Sequence, residues 1–259
     1  MGRKTQGIVD WGNWAGLAAT CFFAALLQAT NGFGFAVLAV PFFLLLAPRG
    51  TAIPIIIIIS FAVSLFVMPR LYRFIAPGML YRLTLGALAA LPIGLVAASH
   101  ANPTIVRATA GIIVTGFTIL LAWHRYRRRG RAVTLRPSSD LAVGVAAGVA
   151  TGLVGMAGPP PLIYLMLGGA PMPMLRATLI GFFVVIYAVT LVANVTLVGV
   201  DRVTWLTALS LLPLVWFGGR VGLRVGERLG EGSAAALALV VLGATGLYTL
   251  AAALYGALS

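Results

Sequence analysis

The residues of this chain best suited to chemistry lie in two short segments. One is Gln28-Ala29-Thr30-Asn31-Gly32-Phe33-Gly34; the other runs from Thr151 through Gly155-Met156-Ala157-Gly158 to Pro159-Pro160-Pro161. Amide and hydroxyl side chains supply neutral hydrogen-bond donors, and glycines let backbone approach a ligand closely. Three prolines in a row donate nothing and leave the carbonyls before them unpaired. A proline also suits the first turn of a new helix, whose following N–H groups and dipole favour an anion. Gln28, Thr30, Asn31, Gly32 and Gly34 with Thr151, Gly155, Gly158, Pro159, Pro160 and Pro161 are therefore expected to form a neutral cage for a compact oxyanion. The competing explanation is close helix packing at the glycines, with the amides as interhelical glue.

Both segments interrupt long apolar runs, and the runs define the class of protein. The chain has 259 residues, 61% of them apolar, with 18 Lys and Arg against 5 Asp and Glu. An ordinary soluble domain carries about 25% charged residues. Stretches free of formal charge span 11–48, 50–69, 83–106, 108–124, 141–175, 177–200, 203–219 and 232–259. A bilayer is crossed by roughly 20 helical residues. The pattern predicts an all-α polytopic membrane protein of about eight to ten membrane segments. A β-barrel is excluded, because its strands alternate over segments of about 10 residues. A cleavable signal peptide is not expected either, since the 38-residue run behind Asp10 far exceeds an h-region of about 7 to 15 residues. Cys21 is the only cysteine, so no intrachain disulfide forms.

Charge placement orients the spans. Arg125, Arg127, Arg128, Arg129, Arg131 and Arg136 lie between two apolar blocks, as the positive-inside rule expects of a cytoplasmic loop in contact with anionic lipid. Counting outward puts Arg70, Arg73, Arg82, Arg220, Arg224 and Arg228 on the same side, with His100, Asp201 and the C-terminus outside. Arg3 and Lys4 fall outside, against the rule. Nucleic acid is not an expected partner. The division is a first membrane repeat over 1–123, a basic loop over 124–140 and a second repeat over 141–259.

The uncharged runs of 38 and 35 residues are each too long for one crossing and each is broken near its middle. Each broken pair is followed by three spans. Landmarks recur in order, Arg49-Gly50-Thr51 against Arg176-Ala177-Thr178 and Leu91-Pro92 against Leu212-Pro213. If each hairpin returns to its own side, the halves are inverted and the breaks meet near the midplane, the plan of many transporters. Asn194, in mid-span, is either pore lining or glue. Arg107 and Arg176 are candidates for guiding anions, with interfacial anchoring as the alternative for Arg49 and Arg176.

The absences also discriminate. All five carboxylates fall at span ends or in loops, leaving none in mid-span for a proton or sodium ion. There is no HExxH for zinc and no GxSxG nucleophile, so neither catalytic residue, metal nor cofactor is expected.

The segments QATNGFGFAVLAVPFFLLLAP and TGLVGMAGPPPLIYLMLGGAP, each followed by Arg-x-Thr, resemble the two halves of the TauE/SafE family of sulfite and organosulfur anion exporters. The likeness covers about Trp14 to Leu254; the first half carries Asn31-Gly32-Phe33-Gly34 where many relatives have a denser glycine run. It implies a bacterial cytoplasmic-membrane transporter of small sulfur anions such as sulfite or sulfoacetate. Alternatives are cation-coupled uptake of thiosulfate or small organic anions, and a scaffold without transport. Membrane lipids are the expected surroundings, and a homodimer fits a transporter of this size.

Overall fold

A computed structural model of the chain describes residues 11–126 and 135–228, with 240 and 243–245. Among them the regular elements are helices: α1 (Trp11–Asn31), α2 (Phe35–Leu46), α3 (Arg49–Val67), α4 (Pro77–His100), α5 (Pro103–Tyr126), α6 (Pro137–Val154), α7 (Pro159–Leu167), α8 (Met172–Ala193) and α9 (Arg202–Arg228). Two 3₁₀ turns join α3 to α4, and a π turn over Asn194–Val198 closes α8. Six segments are long and apolar enough to cross a membrane: Arg49–Arg70, Pro77–His100, Thr104–Trp123, Pro137–Val154, Met172–Leu197 and Arg202–Gly226. The chain is thus an all-α polytopic membrane protein. The expectations for Arg3, Lys4 and residues 127–134 lie outside the described residues, as does most of the chain beyond Arg228.

Both expected interruptions are present, and glycine makes them. α1 ends where Gly32 takes φ +82, and α6 ends where Gly155 takes φ +77. A β-carbon in this left-handed region costs about 1–2 kcal/mol. The turn closes in the same way at each: Gly32 N–H donates to Gln28 O at 2.7 Å and Gly155 N–H to Thr151 O at 2.8 Å. Carbonyls at a helix end are thereby satisfied without water.

Each hairpin leaves by the face through which it entered. A β-carbon on Gly16 of α1 would meet Leu46 at the end of α2. In the second hairpin Tyr164 of α7 donates to Asp140 in the first turn of α6 at 2.7 Å. The two hairpins use opposite faces. Asp140 sits beside Arg82 near the start of α4, whereas Arg49, which follows α2, bonds the carbonyls of Ala98 and Ala101 at the end of α4.

The hairpins are held by two close helix pairs, α4 on α6 and α1 on α9. Gly144 and Gly148 of α6 face the carbonyls of Leu83 and Ala87, and Gly152 faces Leu91 and Gly94. Gly218, Gly222 and Gly226 of α9 face Phe22, Leu26 and Thr30 of α1. Small residues four apart permit this approach where lipid supplies no hydrophobic drive. Between the pairs α3 packs on α8, with Ile55, Ile56, Ile57 and Ile59 of α3 wholly buried. α4, α5 and α9 present Ile93, Ile112, Ile119, Leu209 and Phe217 outward.

Packing adds two details to the sequence reading. Leu91 lies against Gly152, but the matching residue of α1, Ala29, lies against Gly222. Leu212-Pro213 lies about three turns before Gly222 on α9. In addition α5 continues to Tyr126 and α6 starts at Pro137, so Asp140 belongs to a helix rather than to the basic loop.

Gly148→Val should destabilise strongly, since its β-carbon would stand 2.2 Å from Ala87 O; overpacking of this kind costs about 1–3 kcal/mol or more. Gly116→Ala, where nothing lies within 4 Å, should leave the melting temperature in detergent unchanged or raised. Equal effects of the two would refute the packing role.

Candidate functional site

The first break occupies the turn between α1 and α2. Gln28 Nε2 donates to Ser64 Oγ of α3 at 3.0 Å, and Ser64 donates on to Ser60 O at 2.7 Å. Thr30 shares its hydroxyl between Leu26 O at 2.8 Å and Gly222 O of α9 at 3.0 Å, while Asn31 Nδ2 reaches Leu27 O at 3.3 Å. All three side chains are buried. Gln28 and Thr30 thus tie α1 to α3 and α9, while Asn31 bonds within α1. Beyond Gly34 the first turn of α2 exposes the buried N–H groups of Phe35, Ala36 and Val37, the first backbone bond of that helix being Leu38 N–H to Gly34 O. Arg176 of α8 closes this break from the other half: a β-carbon on Gly32 would stand within 3.0 Å of its backbone, and its Nη2 donates to Ala29 O at 3.0 Å.

The second break has a different donor balance. Pro159, Pro160 and Pro161 form the first turn of α7, and Leu162 N–H already donates to Gly158 O at 3.1 Å. The free N–H groups expected after the prolines are absent from that turn. Tyr187 of α8, fully enclosed, spans the break instead: its hydroxyl donates to Gly155 O at 3.3 Å and accepts from Ala157 N–H at 3.4 Å. Thr151 donates within its own helix, to Ala147 O at 2.6 Å, and Gly158 packs on the ring of Phe183.

The two breaks meet α3 at different levels. Gly155 lies beside Ile53 in the second turn of α3, whereas Gln28 bonds Ser64, eleven residues further on, a rise of about 16 Å. Each hairpin reaches past the centre toward the face opposite its own.

A cavity of about 300 Å³ opens beside the second break, lined by Arg49, Ile53, Ile57, Ser99, Gly152 and Asn194 among others. Asn194 donates to Thr190 O at 2.9 Å where the π turn begins, a distortion frequent at functional sites. Arg49 is the cavity's one cation. Arg49 and Arg176 stand 127 residues apart, and each lies in the opening turns of its long helix next to the break of the other half. Arg107 is elsewhere: its Nε donates to Leu44 O at 3.1 Å, capping α2.

Sequence reasoning missed a buried ion pair. Asp140, 1% exposed, accepts from Arg82 Nε at 2.7 Å and from the Tyr164 hydroxyl at 2.7 Å. The three residues fasten the base of the second hairpin to α4. The only sequence signal is an acidic residue in a helix's first turn, where it complements the dipole; nothing in one sequence pairs it with an arginine 58 residues away.

Membrane-length helices around two broken helix pairs define a polytopic membrane protein. The family model "Sulfite exporter TauE/SafE" matches residues 17–249, nearly the whole chain, and the chain belongs to that family. Comparison with curated proteins gave no match, and comparison with solved structures gave none. Among the described residues no group of three or more metal-ligating side chains comes together.

Asp140→Asn should lower stability by about 2 kcal/mol, the scale of hydrogen bonds to a charged group. Arg82→Gln in the same background should add little, because the two act as one pair. Additive losses in a denaturation double-mutant cycle would show that the contact carries no coupling. Tyr187→Phe should cost about 1 kcal/mol and speed amide exchange at Ala157, whose N–H donates to the hydroxyl; unchanged exchange there would refute the bridging role.

Proposed function

We propose that this chain exports small sulfur-containing oxyanions, sulfite or a short sulfonate such as sulfoacetate, across the bacterial cytoplasmic membrane. The observation that carries the reading, beside membership of the family, is the reciprocal placement of Arg49 and Arg176. A guanidinium is always charged and grips an oxyanion with two parallel donors; that of Arg176 caps the end of α1 from the other half, and Arg49, bonded to the end of α4, lines a cavity together with Gly152 of the second hairpin. The first-turn N–H groups of α2 add donors at one break, and Asn194 and Ser99 add polar groups at the other.

In this reading the halves are inverted repeats, and Gln28, Thr30, Asn31, Gly32, Gly34, Thr151, Gly155, Gly158, Pro159, Pro160 and Pro161 shape and tie the hairpins around the path of the anion. Arg49 and Arg176 hold it in turn as the halves rock, so that access alternates between the faces. The face carrying Arg70, Arg82 and the basic segment is cytoplasmic. An inside-negative potential favours efflux of a monovalent anion by about 2.3 kcal/mol per 100 mV. No further coupling ion is required.

The test is flux from proteoliposomes at clamped potential, comparing sulfite, sulfoacetate, thiosulfate and chloride. Native protein should carry a sulfur oxyanion saturably and in the direction of the potential. Arg49→Gln should reduce that flux at least tenfold, the scale of one charge-assisted hydrogen bond, about 1.5–3 kcal/mol. Folded protein that carries none of these anions would sink the proposal, and flux untouched in Arg49→Gln would remove that arginine from the site.

A further inference from the structure

The arginine-bearing face holds a recess that the transport reading does not use. It has a volume of about 230 Å³ and is lined by Arg70, Arg220 and Arg224. Arg70 ends the 3₁₀ turn after α3, and the other two lie on the last turns of α9. Trp216, Arg220 and Arg224 are spaced four apart and so share one stripe of the helix. That stripe faces outward. Trp216 is 45% exposed and Phe217 57%, and the Arg220 guanidinium lies over the Trp216 ring at 4.0 Å.

We infer that this recess binds the headgroup phosphate of an anionic phospholipid. The Arg220 and Arg224 guanidiniums, in one concavity with Arg70, suit an anion with several acceptor oxygens, and phosphate oxygens match their planar donors. Among the described side chains no carboxylate pairs with Arg220 or Arg224. The surface next to the recess selects the source of that phosphate. Below the arginines runs an aromatic strip: Trp216 leans on Phe66, and Phe217 stacks on Phe22 with ring centroids 6.1 Å apart. Exposed Leu65 of α3 and Phe23 of α1 extend it. A soluble oxyanion has no use for such a strip. A lipid does, its acyl chains lying on the aromatic rings while its phosphate reaches the cations at the level where tryptophan marks the interface. The bound lipid bridges the end of α3 to the end of α9.

Native mass spectrometry of the full-length protein in detergent tests this, with phosphatidylglycerol, phosphatidylcholine, inorganic phosphate and sulfite added separately. Phosphatidylglycerol should stay bound at collision energies that strip phosphatidylcholine. Arg220→Gln and Arg224→Gln should each weaken its retention about fivefold, from roughly 1 kcal/mol per basic residue near a headgroup. Arg220→Lys should keep an intermediate share, retaining the charge but losing the planar donors and the stacking on Trp216, and Arg73→Gln, on the same face outside the recess, should change nothing. Three outcomes would overturn the inference: equal retention of the two lipids, an equal loss in Arg73→Gln, or displacement of phosphatidylglycerol by sulfite or phosphate at concentrations that leave Arg224→Gln unaffected. Protein that fails to fold is recognised by its melting curve, and Arg220→Lys then decides the matter.

Discussion

A polypeptide interrupted inside a bilayer must satisfy its freed backbone groups within the protein, since no water is available to do so. Two interruptions fix most of this architecture. At each, a left-handed glycine turns the chain back on the carbonyl four residues earlier. What the glycine leaves open is closed by a side chain from a distant helix: Arg176 on the end of α1, Tyr187 across the turn between α6 and α7. Arg49 and Arg107 do the same at the ends of α4 and α2. The chain's cations within the helical bundle are thus largely structural caps, favoured there because a helix C-terminus carries partial negative charge.

The depth of the breaks follows from helix lengths rather than from the motifs. α1 has 21 residues and α6 has 18, enough at 1.5 Å each to carry the turn past the centre from its own face. The turns therefore miss one another, and the space between them is filled by α3 and α8. Where those helices pack, Ser60 and Ser64 of α3 and Tyr187 of α8 are among the buried polar groups of a largely apolar core. Ser64 holds Gln28 of the first hairpin, and Tyr187 holds the second. Movement of either hairpin is thereby tied to the central pair.

The sequence made some of this legible because glycine, proline and charge report backbone geometry and burial locally. Gly32 and Gly155 announced the turns, and the uncharged runs announced the spans. The chemistry of the turns was read less well. Pro159, Pro160 and Pro161 start a helix as expected, but a turn made of prolines has no donors left for an anion, and Leu162 is already bonded. Gln28 and Thr30 are polar beside a break yet serve the helices around them. Such roles depend on which helix lies alongside, and that is a property of packing. The same holds for Asp140: a carboxylate near a span end reads as solvent-facing until α4 and α7 are placed against it.

An arginine that caps a helix remains fully charged, and this gives the caps a second consequence. Arg49 holds two carbonyls at the end of α4 while lining a cavity beside the second break. Backbone carbonyls are neutral acceptors; an oxyanion is a charged one and forms hydrogen bonds roughly twice as strong. An anion entering the cavity therefore competes with the end of α4 for the same guanidinium. Binding that wins this competition must release or shift those carbonyls, and the segment from Ala98 to Ala101 is where α4 gives way to α5. Arg176 stands in the corresponding relation to the end of α1. The requirement that backbone be satisfied in lipid and the requirement that a transporter respond to its anion are then met by the same residues. In the proposed transport cycle, an arginine drawn from a helix end to the anion would leave the carbonyls of α4 or α1 to be satisfied anew, and this would couple occupancy to movement without any carboxylate in the middle of the membrane.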